Sequence, residues 1–226
     1  RRKFRESAAR LNYLGQDRSD IQYAVKEVCK GMAEPNEDGR RRLKRIARYL
    51  LDAEKVVWKM GELEGERVII EVWVDSDWAK GEDRKSTSGG VMTVGGVAVK
   101  HWSRSQKTRA LSVGEAEYAA MVSGSAEGLG LKSLLKDLGW EMDVVIKTDS
   151  STAQAVASRR GLGKLRHVEV KMLWVQDAVK AKRIKIVKVD GEKNVADHLT
   201  KEVSIGEFQK LVERVGGWIV RKSRGR

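Results

Sequence analysis

Cysteine occurs once in the 226 residues, at Cys29. That excludes an internal disulfide framework and any cysteine-rich zinc site. It suits a reducing, intracellular setting, cytoplasmic or nuclear. No apolar run approaches the ~20 residues needed to cross a bilayer. The best stretch, Val68 to Val74, is interrupted by Glu71, so no membrane partner is expected. No secretory leader is expected, and no Asn-x-Ser/Thr acceptor is present. The first residue is Arg1 rather than Met, which suits a piece of a longer chain. Proline is equally scarce. Pro35 stands alone in Glu34-Pro35-Asn36-Glu37-Asp38-Gly39, a strong turn between helical segments.

Charge is abundant. Lys and Arg number 45 against 32 acids, a net charge of +13, and 41% of residues are hydrophobic. That balance excludes wholesale disorder. A strongly basic chain favours nucleic acid or another anionic surface, although a solvated basic exterior reads the same from charge alone. The distribution is more telling. Ten Lys/Arg fall between positions 159 and 188 against only Glu169 and Asp177, and Lys100, Arg104, Lys107 and Arg109 lie in an acid-free stretch. The tail Arg221, Lys222, Arg224 and Arg226 reads as a disordered basic end.

Periodicity divides the chain. Residues 1 to about 55 look all-helical, with Leu43, Ile46, Ala47, Leu50 and Leu51 on one face of an amphipathic segment. Residues 61–66 are polar and glycine-containing, and a boundary is placed there. From Arg67 to Val74 the β-branched, aromatic texture predicts a buried strand. Two apolar runs around Gly95-Gly96 predict a hairpin. Ser112 to Leu138 predicts a long helix stopped at Gly139. A strand at 144–148, a helix at 151–158, a longer helix at 168–181 and a strand at 184–189 follow. Helical stretches at 194–200 and 206–215 close the chain. The order is that of an α/β domain with a mixed sheet.

Four acids stand at ends of these elements: Asp75 after the first strand, Glu117 early in the long helix, Asp149 after the 144–148 strand and Asp197 late in the chain. Each alone also suits a turn, a cap, a solvated helix position or a first-turn acid, and Glu115 rivals Glu117. Sites in open α/β sheets form where neighbouring strands end at one edge. If those two strands are neighbours, Asp75 and Asp149 face each other. Gathered carboxylates repel unless cations offset the charge. Mg²⁺ suits such a set, binding through a few carboxylates plus substrate phosphates, and two such ions activate water against a phosphodiester. Acids at the centre and cations around them fit a nuclease.

The ordered motifs are Val74-Asp-Ser-Asp-Trp-Ala79, Arg84-Lys-Ser-Thr-Ser-Gly89, Trp102-Ser-Arg-Ser-Gln106, Ser112-Val-Gly-Glu-Ala-Glu-Tyr118, Thr148-Asp-Ser150, Arg166-His-Val-Glu169 and Ala196-Asp-His-Leu-Thr-Lys201. With them the sequence resembles the ribonuclease H domain of copia-type retrotransposon polyproteins. Upstream, Arg18-Ser-Asp-Ile21, Ala24-Val25 and Arg45-Ile-Ala-Arg-Tyr-Leu50 resemble the C-terminal end of the reverse transcriptase. The resemblance covers nearly the whole chain.

It implies a ribonuclease H-like fold, a mixed five-stranded sheet flanked by helices, with an N-terminal all-helical extension. The implied division is 1–66 for the extension, 67–203 for the nuclease domain and 204–226 for a C-terminal helix and basic tail. It implies metal ligation and catalysis by Asp75 (rather than Asp77), Glu117 (rather than Glu115), Asp149 and Asp197, with two Mg²⁺ ions for which Mn²⁺ substitutes. The implied reaction is hydrolysis of the RNA strand of an RNA/DNA hybrid, within a polyprotein that includes reverse transcriptase. Recognition of ribose 2′-OH groups is required. Ser86, Thr87 and Ser88 are candidate polar contacts, and Arg104, Lys107, Lys164 and Arg166 candidate phosphate contacts. His167 is a structural residue or a substrate contact, His198 non-catalytic and His101 exposed. Trp78 and Trp102 are core residues or flank the substrate. The loop Asp190 to Asn194 lacks the histidine that many ribonucleases H carry there, so an inactive remnant that still binds nucleic acid is the alternative.

Overall fold

Asn36 accepts a hydrogen bond from the Gly39 amide at 2.8 Å, and Glu37 and Asp38 follow it in the first helical turn. This cap and the acids opposite the helix dipole start one of three N-terminal helices. They are α1 (Arg2–Leu14), α2 (Ser19–Lys30) and α3 (Glu37–Asp52). Their facing sides enclose Phe4, Ala8, Ile21, Val25, Val28 and Ile46 in a core of their own. The computed structural model describes residues 1–59, 68–81, 83–161, 163 and 169–222. The expected boundary at 61–66 lies outside them.

Beyond α3 the chain extends into β1 (Ala53–Trp58), a strand where the sequence predicted the end of a helix. The main sheet is built from β2 (Ile69–Asp77), β3 (Thr87–Val94), β4 (Val97–Ser105), β5 (Asp143–Thr148) and β6 (Lys185–Lys188). Its order is β4-β3-β2-β5-β6. β3 runs antiparallel to both neighbours, and β2, β5 and β6 run parallel. This is the mixed five-stranded ribonuclease H-like sheet. β2 and β5 are adjacent, so both end at the same edge.

One face of the sheet presents Ile70, Val72, Val74, Val144 and Ile146, all essentially enclosed. Each such side chain contributes roughly 1.5–3 kcal/mol when fully buried. They pack under α4 (Val113–Asp137), α5 (Ser151–Ala157) and α6 (Trp174–Lys180). α4 approaches closely because Gly124 and Gly128 lack side chains where Val74 and Val72 press in. A Cβ at these positions would lie 2.4 Å and 2.9 Å from those valines. The other face is closed by Val91, Ala98, Val195, Leu199 and Val215, with Trp58 and Trp73 against them.

α7 (Ile205–Glu213) opens on a capping box between Ser204 and Glu207, and β7 (Gly217–Arg221) is the last element of the described residues. β7 pairs antiparallel with β1. Arg221 and Lys222 are therefore ordered, not part of a disordered tail. Arg221 lies opposite Ala53, and the Lys222 amide donates to the Asp52 carbonyl at 2.9 Å. Arg224 and Arg226 lie outside the described residues. Two further expectations change. The helix expected at 168–181 is a 3₁₀ turn, Val170–Met172, followed by α6, and that expected at 194–200 narrows to a 3₁₀ turn, Asp197–Leu199.

Candidate active site

Each acid is delivered by its own element. Asp75 sits near the end of β2, opposite Gly89 of β3. Asp149 follows β5 and precedes Ser150, which caps α5 by accepting from the Ala153 amide at 3.1 Å. Glu117 lies in α4. The start of that helix is fixed by Ser112, which accepts from the Glu115 amide at 3.1 Å, while Glu115 itself accepts from the Leu111 amide at 2.8 Å. Glu115 is thus consumed in capping, and Glu117 turns to the sheet. Asp77 pairs with Lys80 at 3.4 Å.

Asp75, Glu117 and Asp149 converge. One carboxylate oxygen from each lies within 4.8 Å of the others. Asp75 and Glu117 are buried and Asp149 is half-buried. Burial pushes the Asp75 carboxyl up to about 7, assisted by the charges of Asp197 and Asp149. Burial also pushes Glu117 up to about 8, with Asp75 and Asp149 adding to the shift. One Glu117 oxygen, Oε2, is enclosed without a hydrogen-bond partner. A buried carboxylate oxygen without a partner is strongly disfavoured. Clustered oxygen donors of this kind fit a hard divalent cation, which would offset the repulsion and satisfy that oxygen.

Asp197 stands apart from this triad. It is half-exposed on its 3₁₀ turn and pairs with Lys201 at 2.8 Å. Its segment is nevertheless tied to the same strands. The Asn194 side chain donates to the Val74 carbonyl at 3.0 Å, and Ser103 donates to the Leu199 carbonyl at 2.5 Å. The Thr200 hydroxyl, fully buried, donates to the Asp75 carboxylate. Sequence reasoning passed over Asn194 and Thr200, although Thr200 lies in the quoted motif Ala196 to Lys201. Gly191 was passed over as well. Its backbone comes so near Asp149 that a Cβ there would stand 3.2 Å from Oδ2.

The candidate substrate contacts fall differently. Ser86, Thr87 and Ser88 are all buried. Their hydroxyls accept from the Ala79 amide (3.2 Å), Lys26 Nζ (2.7 Å) and Gln106 Nε2 (2.9 Å) respectively. In this arrangement they hold the loop after β2, α2 and the end of β4 in place, and they do not face solvent. Arg104 is exposed and pairs with Glu127 at 2.8 Å, and Lys107 is exposed. Lys164, Arg166 and His167 lie outside the described residues. His101 is half-buried rather than exposed, because α2 covers β4: its Nδ1 lies 3.1 Å from Gln22 Oε1. His198 is enclosed edge-on to Phe208, and burial pushes its pKa down to about 3. Trp102 is core, lying over Gly90, whereas Trp78 is 44% exposed with its indole N–H donating to the Ala110 carbonyl at 2.9 Å.

The order of the sheet is that of the ribonuclease H-like fold, and the acid triad is consistent with the use of a divalent cation. The sequence relatives are more particular. The chain is 32% identical over 202 residues to the retrovirus-related Pol polyprotein from transposon TNT 1-94 of Nicotiana tabacum, covering 88% of this chain and 15% of that protein. It is 29% identical over 220 residues to that from transposon RE1 of Arabidopsis thaliana, covering 95% and 15%. Its homologues are thus retrovirus-related Pol polyproteins of plant transposons, and the chain spans about 15% of their length. LC11-RNase H1, isolated from compost by a metagenomic approach, superposes with a TM-score of 0.42 at 22% identity, covering 58% of this chain and 91% of that one. No protein-family profile matches. Among the described residues no helix is long and apolar enough to cross a membrane.

Proposed function

We propose that the chain is the ribonuclease H portion of a transposon Pol polyprotein, a divalent-metal-dependent endonuclease that hydrolyses the RNA strand of RNA/DNA hybrids. The observation that carries this reading is the triad Asp75, Glu117 and Asp149, with oxygens within 4.8 Å of one another, in a chain of net charge +13. The relatives support its place beside a reverse transcriptase. In the same reading residues 1–66 are the reverse transcriptase connection, 67–203 the nuclease domain and 204–226 a closing helix and tail.

Asp75, Glu117 and Asp149 hold the metal, with Asp197 completing the set. Two Mg²⁺ ions, or Mn²⁺ in their place, supply Lewis-acid charge and a water acidic enough to act at neutral pH. The chain's own residues do the rest. The buried carboxylates keep their positions because β2, β5 and α4 are packed on one core. Lys201 holds Asp197. Exposed cations such as Lys107 attract the phosphate backbone without reading sequence. Discrimination of RNA falls to groups that meet the ribose 2′-OH.

The test is cleavage of an end-labelled RNA/DNA hybrid in Mg²⁺, beside RNA and DNA duplexes and the Asp149→Asn variant. Cutting of the hybrid's RNA alone, lost in the variant, is the expected result. A folded chain that binds hybrid and cuts nothing in Mg²⁺ or Mn²⁺ would replace this reading with that of an inactive nucleic-acid-binding module.

A further inference from the structure

The helical extension carries a charged face that the acid triad does not use. α3 turns Gly39, Leu43, Ile46 and Leu50 into the three-helix core. Its opposite side presents Arg41, Lys44, Arg45 and Arg48, all exposed. Their spacing of three, four and seven residues lines them in one stripe. Their acidic partners are few and solvent-exposed. Arg41 has Asp38 at 3.4 Å, and Arg45 has Glu202 at 4.0 Å. Asp52, one turn beyond Arg48, is engaged by Arg221 at 3.3 Å. Lys44 and Arg48 make no ion pair among the described residues. Like charges at these spacings repel, and an anion lying along the stripe offsets that repulsion.

The stripe is also close to the site. Arg45 and Lys201 line one cavity of about 220 Å³ between α2, α3 and the segment after Asp197. Lys201 pairs with Asp197. The extension therefore packs beside the segment that carries Asp197 and Thr200, and the Thr200 hydroxyl reaches Asp75. Arg41 to Arg48 spans about 10 Å of helix axis. A nucleic-acid strand presents roughly one phosphate per 3.4 Å of its axis, so the stripe matches about three phosphates. A membrane is the poorer match, because the apolar side of α3 is already enclosed and a surface-bound helix must insert such a side.

We propose that this stripe is a docking surface for the phosphate backbone of the duplex whose scissile strand enters the acidic centre. The proposal rests on the nuclease reading for the identity of that duplex. Binding of a labelled RNA/DNA hybrid to the full chain is measured in EDTA across a series of salt concentrations. Arg41→Gln, Lys44→Gln and Arg48→Gln are combined in one variant. A control of equal charge combines Arg10→Gln, Lys136→Gln and Lys210→Gln, exposed positions on α1, α4 and α7. The slope of log affinity against log salt should fall in magnitude by about two to three in the stripe variant, near 0.9 per lost contact. Affinity should drop at least tenfold at ~0.1 M salt, while the control binds as the unmodified chain. An unchanged slope, an equal loss in the control, or loss only of binding to phosphatidylserine vesicles would overturn the proposal. Circular dichroism checks that both variants are folded. If the unmodified chain binds hybrid but does not cut it in Mg²⁺, the nuclease reading fails while the salt slopes still decide the stripe.

Discussion

The hydroxyl of Thr200 donates a hydrogen bond to the carboxylate of Asp75, 125 residues earlier in the chain. The contact is possible because Gly89 stands opposite Asp75 on β3 and leaves the space that the Thr200 side chain fills. A buried hydroxyl on one carboxylate oxygen fixes the rotation of the group, leaving the other oxygen for a cation.

Replacing Thr200 by Val keeps the shape and removes the donor. Metal affinity, read by calorimetry with Mg²⁺ or by Mn²⁺ resonance, should weaken by about 10- to 100-fold, the range for groups that orient a ligand. Thr200→Ser should restore most of it. Equal behaviour of the two variants would assign Thr200 to packing alone.

Gly89→Ala places a Cβ 2.7 Å from Thr200 Cγ2, 2.9 Å from Leu199 Cβ and 3.0 Å from the Ala196 carbonyl. Two of these neighbours are not flexible ends. Destabilisation of about 1–3 kcal/mol is expected from such overpacking, measured by urea unfolding. Metal affinity should fall with it, because Thr200 must move.

Asp149→Asn should reduce hybrid cleavage below detection. The metal-free variant should melt at the same temperature as the unmodified chain or higher, because Asp149 raises the pKa of both Asp75 and Glu117 by repulsion. A lower melting temperature in EDTA would contradict the picture of three mutually repelling acids.

Stability of the metal-free chain should depend on pH with a definite sign. Asp75 and Glu117 have folded pKa values near 7 and 8, above the ~4 of free carboxyls. The folded state holds more protons between these limits. Stability from these groups is complete below about pH 4 and is lost as pH rises to about 8. Added Mg²⁺ should therefore raise the melting temperature more at pH 8.5 than at pH 6. Thermal melts in EDTA and in Mg²⁺ across this range check it.

Much of this was legible in the sequence where the signal is local. The β-branched, aromatic texture of β2, the Gly95-Gly96 hairpin and the long α4 pattern each report a nearby physical preference, whereas the adjacency of β2 and β5, which brings Asp75 and Asp149 to one edge, was only a condition in the sequence. Features made by distant contacts were not legible. β1 and β7 are strands because they pair with each other, and neither has a strong strand pattern alone. Ser86, Thr87 and Ser88 look like surface polar residues until Lys26 and Gln106 arrive from elsewhere to use their hydroxyls. His101 is covered only because α2 lies over β4. Asp197 appeared to head a helix, but Thr200 and Leu199 are drawn onto β2, β3 and β4, which leaves room for a single 3₁₀ turn. Thr200 itself gave no signal by type or spacing.

The pairing of β1 with β7 also sets an order of events during synthesis. β1 is made well before its partner, since the whole five-stranded sheet lies between them in the chain, and in that interval Val56 and Val57 have one edge open. Until Gly217–Arg221 emerges, that edge has no strand to close it. A polypeptide halted anywhere before this point carries an uncapped strand, the kind of edge that recruits other chains. β7 thus serves as a delayed seal on a strand made well before it.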